Sequence, residues 1–180
     1  MTEQQPYRVV ARHPGFELRR YPAHLVAEVR AEGAFERAAL DAFGPLGAYV
    51  DGANRSRRAI ARGTGPETIK LTAPFVQEEG DRPDHWLAWL VMPSGFTPDT
   101  LPEPVDPRVH TRVVPEQLAA AVRFAGRSTA EAFDRRAIAL GRAVTAAGLR
   151  PAGAVRYARF DRPWKPWFLR HNEVVLPIAE

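Results

Sequence analysis

Residues 19–33 read RRYPAHLVAEVRAEG, and residues 112–126 read RVVPEQLAAAVRFAG. The two stretches align without a gap at an offset of 93 residues, with seven identities in 15 positions. Each predicts a strand that reaches a proline turn, returns as a second strand and stops at glycine. In the first copy, Leu25, Ala27 and Val29 alternate on one face of the returning strand. Such an internal repeat indicates a duplicated fold.

A helix is predicted after each of the two stretches. Gly44 and Pro45 are expected to kink or restart the first helix. Ser128 and Glu131 have the spacing of a capping box at the start of the second, and Gly148 is expected to end it. The apolar positions with helical spacing are Phe35, Ala38, Ala39, Ala42, Phe43 and Leu46 in the first helix, and Phe133, Ala137, Leu140 and Val144 in the second.

Further strands are predicted at residues 69–76 and 86–92 in the first half and at 154–160 and 173–178 in the second. The unit is strand-strand-helix-strand-strand, and its two copies cover about residues 7–92 and 108–178. We therefore predict an α+β fold in one domain of residues 1–180, with a curved antiparallel sheet or open barrel and two helices packed outside. The proline-rich segment 92–107 is predicted to be an ordered connector between the halves.

The composition of the 180 residues is that of a globular protein, with 45% hydrophobic and 26% charged residues. The chain has no cysteine, which excludes disulfides and thiolate metal sites. No apolar run approaches the ~18 residues of a membrane-spanning helix. The first residues carry neither the charged nor the apolar region of a signal peptide, so we do not expect a cleaved signal peptide.

The net charge of +4 comes from one short stretch of the chain. Residues 150–173 contain six basic and two acidic side chains, and the other basic and acidic residues balance at 19 each. The same stretch carries Trp164 and Trp167. It predicts either a solvated basic loop or a site for a flat, apolar, anionic ligand. Nucleic acid is not an expected partner, because the rest of the chain is neutral.

The segment from Trp164 to Phe168 places three aromatic residues within five positions, between Pro163 and Pro166. Prolines keep such a segment out of regular structure. Rigid rings beside the ammonium of Lys165 suit a ring-shaped anion, and the alternative is that the rings seal one end of the barrel.

Catalytic motifs are missing from the sequence: it has neither an H-E-x-x-H zinc motif, nor a G-x-S-x-G elbow, nor a phosphate-binding loop. His24, in a turn between two strands, is the histidine to consider as an axial ligand of iron, although nothing in the sequence requires that role. Glu173 before the last strand is either a general base or, as we favour, one half of a buried ion pair with an arginine. We therefore favour a binding protein over an enzyme.

Four stretches in order resemble the SOUL/heme-binding protein family, and the resemblance covers about residues 7–178. Residues 16–22 (FELRRYP) are similar to the family's opening YEIRRYP strand, and residues 69–76 (IKLTAPFV) to its LTAPV segment. Residues 91–109 match its pattern of VMP, LP and DPRV. Residues 157–174 are similar to its closing segment, from YARFDRPW to LRHNEV.

The resemblance implies a duplicated fold and non-covalent binding of heme or a related tetrapyrrole in the cytoplasm. It places the ligand by the first helix and by the loop before the last strand, where Lys165 is expected to pair with a propionate. The helix positions that it implies are Leu40, Phe43, Gly47 and Ala48.

The chain departs from the family pattern at several places. Some members have basic and methionine residues at the four helix positions, and some have a histidine where this chain has Arg20. The segment between Asn54 and Ile69 is longer than in the typical member. The departures argue against iron coordination from these positions, but an apolar pocket can hold a porphyrin by burial alone.

We therefore predict a monomeric tetrapyrrole carrier or buffer that binds through Leu40, Phe43, Gly47, Ala48, Trp164, Lys165 and Trp167. One alternative is an enzyme acting on a small hydrophobic or cyclic substrate, with Glu173 or Glu28 as its base. Another is a sensor or interaction module that uses a sheet edge or the arginine-rich loop 55–62.

Overall fold

The computed structural model describes residues 3–57, 65–162 and 164–180. Within these ranges the chain forms two α-helices, α1 (Phe35–Val50) and α2 (Ala130–Ala146), and a short 3-10 helix (Trp167–Leu169). The strands are β1 (Glu3–Gln4), β2 (Arg8–His13), β3 (Phe16–Tyr21), β4 (His24–Glu32), β5 (Asn54–Arg55), β6 (Thr72–Ala73), β7 (Phe75–Glu79), β8 (His85–Val91), β9 (Glu103–Pro104), β10 (His110–Val114), β11 (Gln117–Ala125), β12 (Arg156–Arg159) and β13 (His171–Ile178).

Nine of these strands form one curved sheet in the order β10-β4-β8-β7-β12-β13-β11-β3-β2. All neighbours in it are antiparallel, and the order ends in open edges at β10 and β2, so the sheet is not closed. Two further pairs of two-residue strands lie outside it, β1 with β6 and β5 with β9. The α+β prediction is confirmed, with the sheet in its curved, open form.

The sheet exchanges strands between the two halves of the chain. β7 and β12 lie side by side at its centre, and β3 pairs with β11 while β10 pairs with β4. The turns at Pro22 and Pro115 therefore carry the chain across the sheet. The prediction that the strand after each proline turn returns alongside the strand before it is wrong. Alternation of apolar residues fixes which face of a strand is buried but not its partner.

Helix α1 packs its apolar stripe against β4 and β8. Its buried side chains are Phe35, Ala38, Ala42, Leu46, Tyr49 and Val50. The helix does not restart at Gly44 and Pro45, since it continues to Val50. Proline removes one backbone N–H, and burial of Ala42, Leu46 and Tyr49 on the packed side of the helix outweighs that loss.

Helix α2 begins one residue later than its predicted capping box. Thr129 is the N-cap, and its side chain accepts a hydrogen bond from the Ala132 N–H. Ser128 instead donates to Oδ1 of Asn172 at 2.8 Å. Gly148 follows the C-cap with a φ of +74°, a left-handed conformation that ends the helix as predicted.

The N-termini of the two helices meet above the centre of the sheet. The rings of Phe35 and Phe133 lie 5.6 Å apart in an edge-to-face arrangement. The Ala130 N–H in the first turn of α2 donates to Oε1 of Glu36 in α1 at 2.9 Å. The Glu36 carboxylate thereby satisfies an N–H that the helix itself leaves unpaired, at the positive end of its dipole.

Neither α1 nor α2 packs on the opposite face of the sheet, which we call the helix-free face. Trp86 and Trp89 alternate along β8, so that Trp86 packs towards the helices and Trp89 is buried on the helix-free face. The buried apolar residues of that face are Val26, Val76, Trp89, Val91, Val114 and Ala158, and, further along, Tyr21, Ala119, Ala121 and Val175.

The connector 92–107 is ordered, as predicted. Leu101 is buried in the core beside α1. The buried Tyr49 hydroxyl donates to the Pro102 carbonyl at 2.7 Å, and β9 pairs with β5. The connector is thus fixed to the end of α1.

Candidate functional site

The four predicted positions on α1 lie on its outer side. Leu40 is 69% exposed and Phe43 45% exposed, while Ala48 is exposed and Gly47 half-buried. The Phe43 ring packs edge-to-face on the ring of Phe75 on β7, with 5.8 Å between the ring centres. Leu40, Phe43, Gly47 and Ala48 therefore form an apolar stripe without long charged side chains, which we call the α1 stripe.

The loop between β12 and β13 exposes a cluster of large apolar side chains. Trp164 is 75% exposed, and Trp167 is 49% exposed. Phe168 and Leu169, in the same 3-10 turn as Trp167, are also exposed. We call these four residues the aromatic loop. Isolated exposed apolar side chains are common, but a cluster of this size typically marks a binding surface.

Two guanidinium groups lie over the rings of the aromatic loop. Arg162 is centred 5.1 Å from the Trp164 ring, and Arg127 is 5.2 Å from the Trp167 ring. Cation–π contacts hold these charges beside the exposed rings. The loop therefore combines flat apolar surfaces with cations that can meet carboxylates.

Lys165 is already engaged within the loop. Its Nζ lies 2.8 Å from Oδ2 of Asp161, and the same oxygen accepts the His171 N–H at 2.6 Å. Burial alone would raise the pKa of Asp161, but the hydrogen bonds from Lys165 and His171 outweigh it and lower the pKa. Asp161 thus stays ionised and neutralises the ammonium that was expected to pair with a propionate.

Two other basic groups of segment 150–173 lie away from the loop, whereas Arg170 Nε donates to the Lys165 carbonyl within it at 2.8 Å. Arg156 pairs with Glu78 at 2.9 Å. Arg159 points the other way, with its guanidinium 4.6 Å from the centre of the Phe35 ring. Burial lowers the pKa of Arg159 to about 10, which still leaves it charged at neutral pH. The excess charge of this stretch is therefore divided between the two faces of the sheet.

The α1 stripe and the aromatic loop are linked through β7. Phe75, which supports Phe43, pairs in register with Arg159 at the end of β12. The segment that contains the aromatic loop begins directly after β12. The structure therefore brings the start of that segment next to β7, the strand against which Phe43 of the α1 stripe packs.

His24 is located elsewhere, on the helix-free face. Its Nδ1 donates to the Pro22 carbonyl at 2.9 Å, and its Nε2 accepts from the Gln5 amide at 3.0 Å. Burial lowers its pKa. Both ring nitrogens are thus hydrogen-bonded, and a metal would have to displace Gln5.

A cleft on the helix-free face was not predicted from the sequence. It is a narrow cleft with a volume of about 30 Å3, enough for about two water molecules. The sequence does carry a signal for a buried second face of the sheet. Consecutive apolar residues, such as Leu90–Val91 in β8 and Val174–Val175 in β13, predict strands that are buried on both faces. Its lining includes Gln5, Tyr7, Tyr21, His24, Val76, Trp89, Val114, Gln117, Arg156, Phe160, Glu173 and Val175.

A buried ion pair lies at one side of the cleft. Arg19 Nη1 donates to Oε2 of Glu173 at 2.7 Å, and His171 Nε2 lies 2.8 Å from Oε1. The predicted ion pair of Glu173 with an arginine is confirmed. Burial alone would raise the pKa of Glu173, but hydrogen bonds from His171 and Arg19 outweigh it, so its pKa is lowered. A general base for neutral pH needs a raised pKa, so this pairing does not favour that role.

Glu28, the other proposed base, pairs with Arg112 at 2.6 Å. Among the residues described, no group of three or more histidine, aspartate or glutamate side chains is placed to hold a metal ion. Within residues 3–57, 65–162 and 164–180, no helix has the length and apolar character needed to cross a membrane. Arg58 and Arg62 of the arginine-rich loop lie outside the described residues, as does Pro163.

The fold resembles several solved structures. The C-terminal domain of EcmrR superposes with a TM-score of 0.68 at 15% identity, covering 97% of this chain and 98% of that one. A hydrolase from Listeria innocua gives 0.60 at 14% identity, covering 94% of each chain. SAV2435 bound to tetraphenylphosphonium gives 0.52 at 7% identity, covering 91% and 93%. At these identities the similarity shows a shared fold alone.

The comparison by sequence is more specific. No curated protein matches the chain. The family model described as SOUL heme-binding protein matches residues 2–177, which is nearly the whole chain and includes both the α1 stripe and the aromatic loop. The chain therefore belongs to the SOUL heme-binding protein family.

Proposed function

We propose that this chain binds heme or a related tetrapyrrole non-covalently and acts, as a monomer, as a carrier or buffer for it. The observation that carries the proposal is the aromatic loop, where Trp164 and Trp167 are exposed and each lies beside a guanidinium. A tetrapyrrole is flat and apolar, with carboxylates at its edge, and those rings and cations suit both parts of it.

The ring of the ligand is proposed to lie against the aromatic loop and extend towards the α1 stripe. Leu40 and Phe43 present exposed apolar surface. Removal of apolar surface from water contributes about 25 cal/mol per Å2. For a ligand as large as a porphyrin, that contribution is enough for micromolar affinity without a metal bond.

The carboxylates are proposed to pair with Arg127 and Arg162 before Lys165. The Lys165 ammonium is neutralised by Asp161, whereas the two guanidinium groups contact rings and keep their charge. Arginine also suits a carboxylate better, because its planar fork donates two parallel hydrogen bonds.

Iron is not proposed to be held by a protein ligand on this surface. His24 lies in the cleft of the helix-free face, and both its ring nitrogens are engaged. The residues present fit the flat ring and the carboxylates of a tetrapyrrole. We therefore expect iron-free porphyrins to bind about as tightly as hemin.

A titration with hemin, followed by the Soret band and by tryptophan quenching, tests the proposal. We expect saturable one-to-one binding with a Kd below about 10 μM, which corresponds to roughly −7 kcal/mol. Trp164→Ala and Trp167→Ala should each weaken binding at least fivefold. Ile138→Ala removes an equally exposed apolar side chain from α2 and should leave the Kd unchanged. Absence of saturation below that concentration, or an equal loss in the Ile138 control, contradicts the proposal.

A further inference from the structure

We propose that a groove near the β2 edge of the helix-free face binds a small organic monoanion, which has a carboxylate at one end and hydroxyl groups along its body. The groove crosses β2, β3, β11 and β13, and we call it the edge groove. The side chains that characterise it are Arg12, Glu17, Arg19, Arg123, His171 and Glu173. Its residues differ from those of the aromatic loop, so this site does not depend on tetrapyrrole binding.

The edge groove is large enough for a small ligand. Its volume is about 590 Å3, within the range of roughly 300–1,000 Å3 that is usual for small-molecule sites. Its floor includes Ala121 on β11 and Gly15 in the turn between β2 and β3. The register that pairs Ala121 with Glu17 puts Gly15 level with Arg123. A Cβ atom at Gly15 would meet no other atom within 4 Å, so these small residues leave a trough between longer side chains.

The register of the sheet brings charges of opposite sign side by side in the groove. Arg12 on β2 lies opposite Glu17 on β3, and Arg123 on β11 lies opposite Glu173 on β13. Alternate residues of a strand share a face, so Arg19 lies on the same face as Glu17. Three arginines and two glutamates therefore line one groove.

Both carboxylates of the groove are already engaged. Glu17 accepts hydrogen bonds from Arg12 at 2.5 Å and from Arg19 at 2.9 Å, and Glu173 accepts one from Arg19 at 2.7 Å. Arg123 is exposed, and no ion pair of its guanidinium is found among the described residues. The arginines exceed the glutamates by one, so the groove has one positive charge to offer and selects a monoanion.

The chemistry of the lining favours a carboxylate on a polar body. The planar fork of Arg123 can donate two parallel hydrogen bonds to a carboxylate. Gln4, His13 and Tyr7 add an amide, an imidazole and a hydroxyl to the walls. An apolar ligand would cover these groups without satisfying them, which costs free energy. Hydroxyl groups along the ligand would replace the water that they lose.

Gluconate and sorbitol test the chemical class, because they differ only in a carboxylate against a hydroxymethyl group at one end. Isothermal titration calorimetry at low ionic strength measures both. We expect saturable one-to-one binding of gluconate and no saturation by sorbitol over the same concentrations. Absence of gluconate binding, equal binding of sorbitol, or tighter binding of inorganic phosphate would overturn the proposal, because a single carboxylate would then not govern selection.

Variants with effects of opposite sign locate the site. Arg123→Gln removes the unpaired cation and should weaken gluconate binding about fivefold, as expected for a partly exposed charge. Glu17→Gln releases Arg12 from its carboxylate and should tighten binding about threefold. Arg30→Gln is the matched control, since Arg30 is an exposed arginine of β4 outside the groove, and it should leave the Kd unchanged. Weaker binding in both groove variants, or an equal loss in the control, would overturn the site.

A further pair of variants covers a folding defect and separates the two proposed sites. If Glu17→Gln does not fold, Arg12→Gln replaces it at a side chain that is 74% exposed. This change leaves more negative charge in the groove, so gluconate binding should weaken, and an unchanged Kd would contradict the proposal. Trp167→Ala should weaken hemin binding and leave gluconate binding unchanged. A loss of gluconate binding in Trp167→Ala would overturn a site separate from the aromatic loop.

Discussion

Arg19 on β3 and Glu173 on β13 form a buried ion pair across β11, which lies between their strands in the sheet. Both side chains are nearly inaccessible, at 4% and 3% exposure. On the same face β11 carries Ala119 and Ala121, whose small side chains leave room for the guanidinium. The pair joins residues from opposite ends of the chain, near the β2 edge of the helix-free face.

Removing one partner of this pair should be strongly destabilising. Arg19→Met leaves a carboxylate buried without its cation, and we expect a loss of about 3 kcal/mol in the free energy of unfolding by urea. The double variant Arg19→Met/Glu173→Leu should recover part of that loss, because no charge remains unpaired. Arg37→Met, in the exposed pair with Asp41, is the control and should change stability by less than about 0.5 kcal/mol. A double variant as unstable as the sum of the single ones would contradict this account.

Stability should fall in acid partly through Glu173. Its pKa in the folded protein is lower than the ordinary value of 4.5, so the unfolded chain binds the proton more tightly. The stabilisation is therefore fully present above pH 4.5 and is lost as the pH falls through the lower pKa of the folded state. Urea denaturation between pH 7 and pH 3 checks this. In Glu173→Gln the curve should be flatter below pH 4.5, and an unchanged slope would rule out this carboxylate as a source of acid sensitivity.

The N-cap of α2 should contribute to stability through Thr129. Thr129→Ala removes the acceptor for the Ala132 N–H, and we expect a loss of about 1 kcal/mol. Thr145→Ala, an identical change near the exposed C-terminal end of the helix, should cost less than half as much. Thermal unfolding followed by circular dichroism compares the two variants. Equal effects would show that helix propensity rather than capping decides the outcome.

The Tyr49 hydroxyl should matter for attachment of the connector. Tyr49→Phe leaves the buried Pro102 carbonyl without its donor, and we expect a loss of about 1–3 kcal/mol. The loss should be accompanied by faster hydrogen exchange in the connector, at Leu101 and Val105. Burial raises the pKa of this hydroxyl well above its usual range, so the hydrogen bond should persist up to pH 10. A stable variant with unchanged exchange would show that packing alone fixes the connector.

The charges around the aromatic loop should contribute unequally to hemin affinity. Arg127→Ala and Arg162→Ala should each weaken binding about fivefold, as expected for partly exposed charges. Lys165→Ala should change the Kd less than twofold, because Asp161 already neutralises that ammonium. Titrations of the three variants at one ionic strength give the comparison. A larger effect of Lys165→Ala than of either arginine would show that the ligand displaces Asp161.

The element types were predictable because the periodicity is local. The stripe of α1 and the apolar alternation of Leu25, Ala27 and Val29 both lie within one element, and burial of those faces follows directly. The pairing of β3 with β11 was not predictable, since nothing in either strand specifies a partner that far along the chain. The N-cap was displaced by one residue because the Ser128 hydroxyl bonds to Asn172 on another strand.

The candidate site was predictable only in part, for a similar reason. Exposed aromatic residues between prolines are visible in the sequence, and Trp164 and Trp167 are indeed exposed. The partner of Lys165 was hidden, because an Asp four residues earlier is close in space only if the loop turns back on itself. The cleft was hidden because its walls come from strands of both halves, brought together by the sheet order.

The exchange of strands between the two halves also constrains how the chain can fold. β3 acquires its partner β11 only after about a hundred further residues, and β4 likewise waits for β10. On a ribosome, the first half would emerge with one edge of β3 and one edge of β4 unpaired, exposing backbone that invites pairing with other chains. Contacts so distant in sequence also slow folding, since loop closure precedes the stabilisation. We therefore expect neither half to fold on its own, and cooperative assembly to begin only once the second half is available.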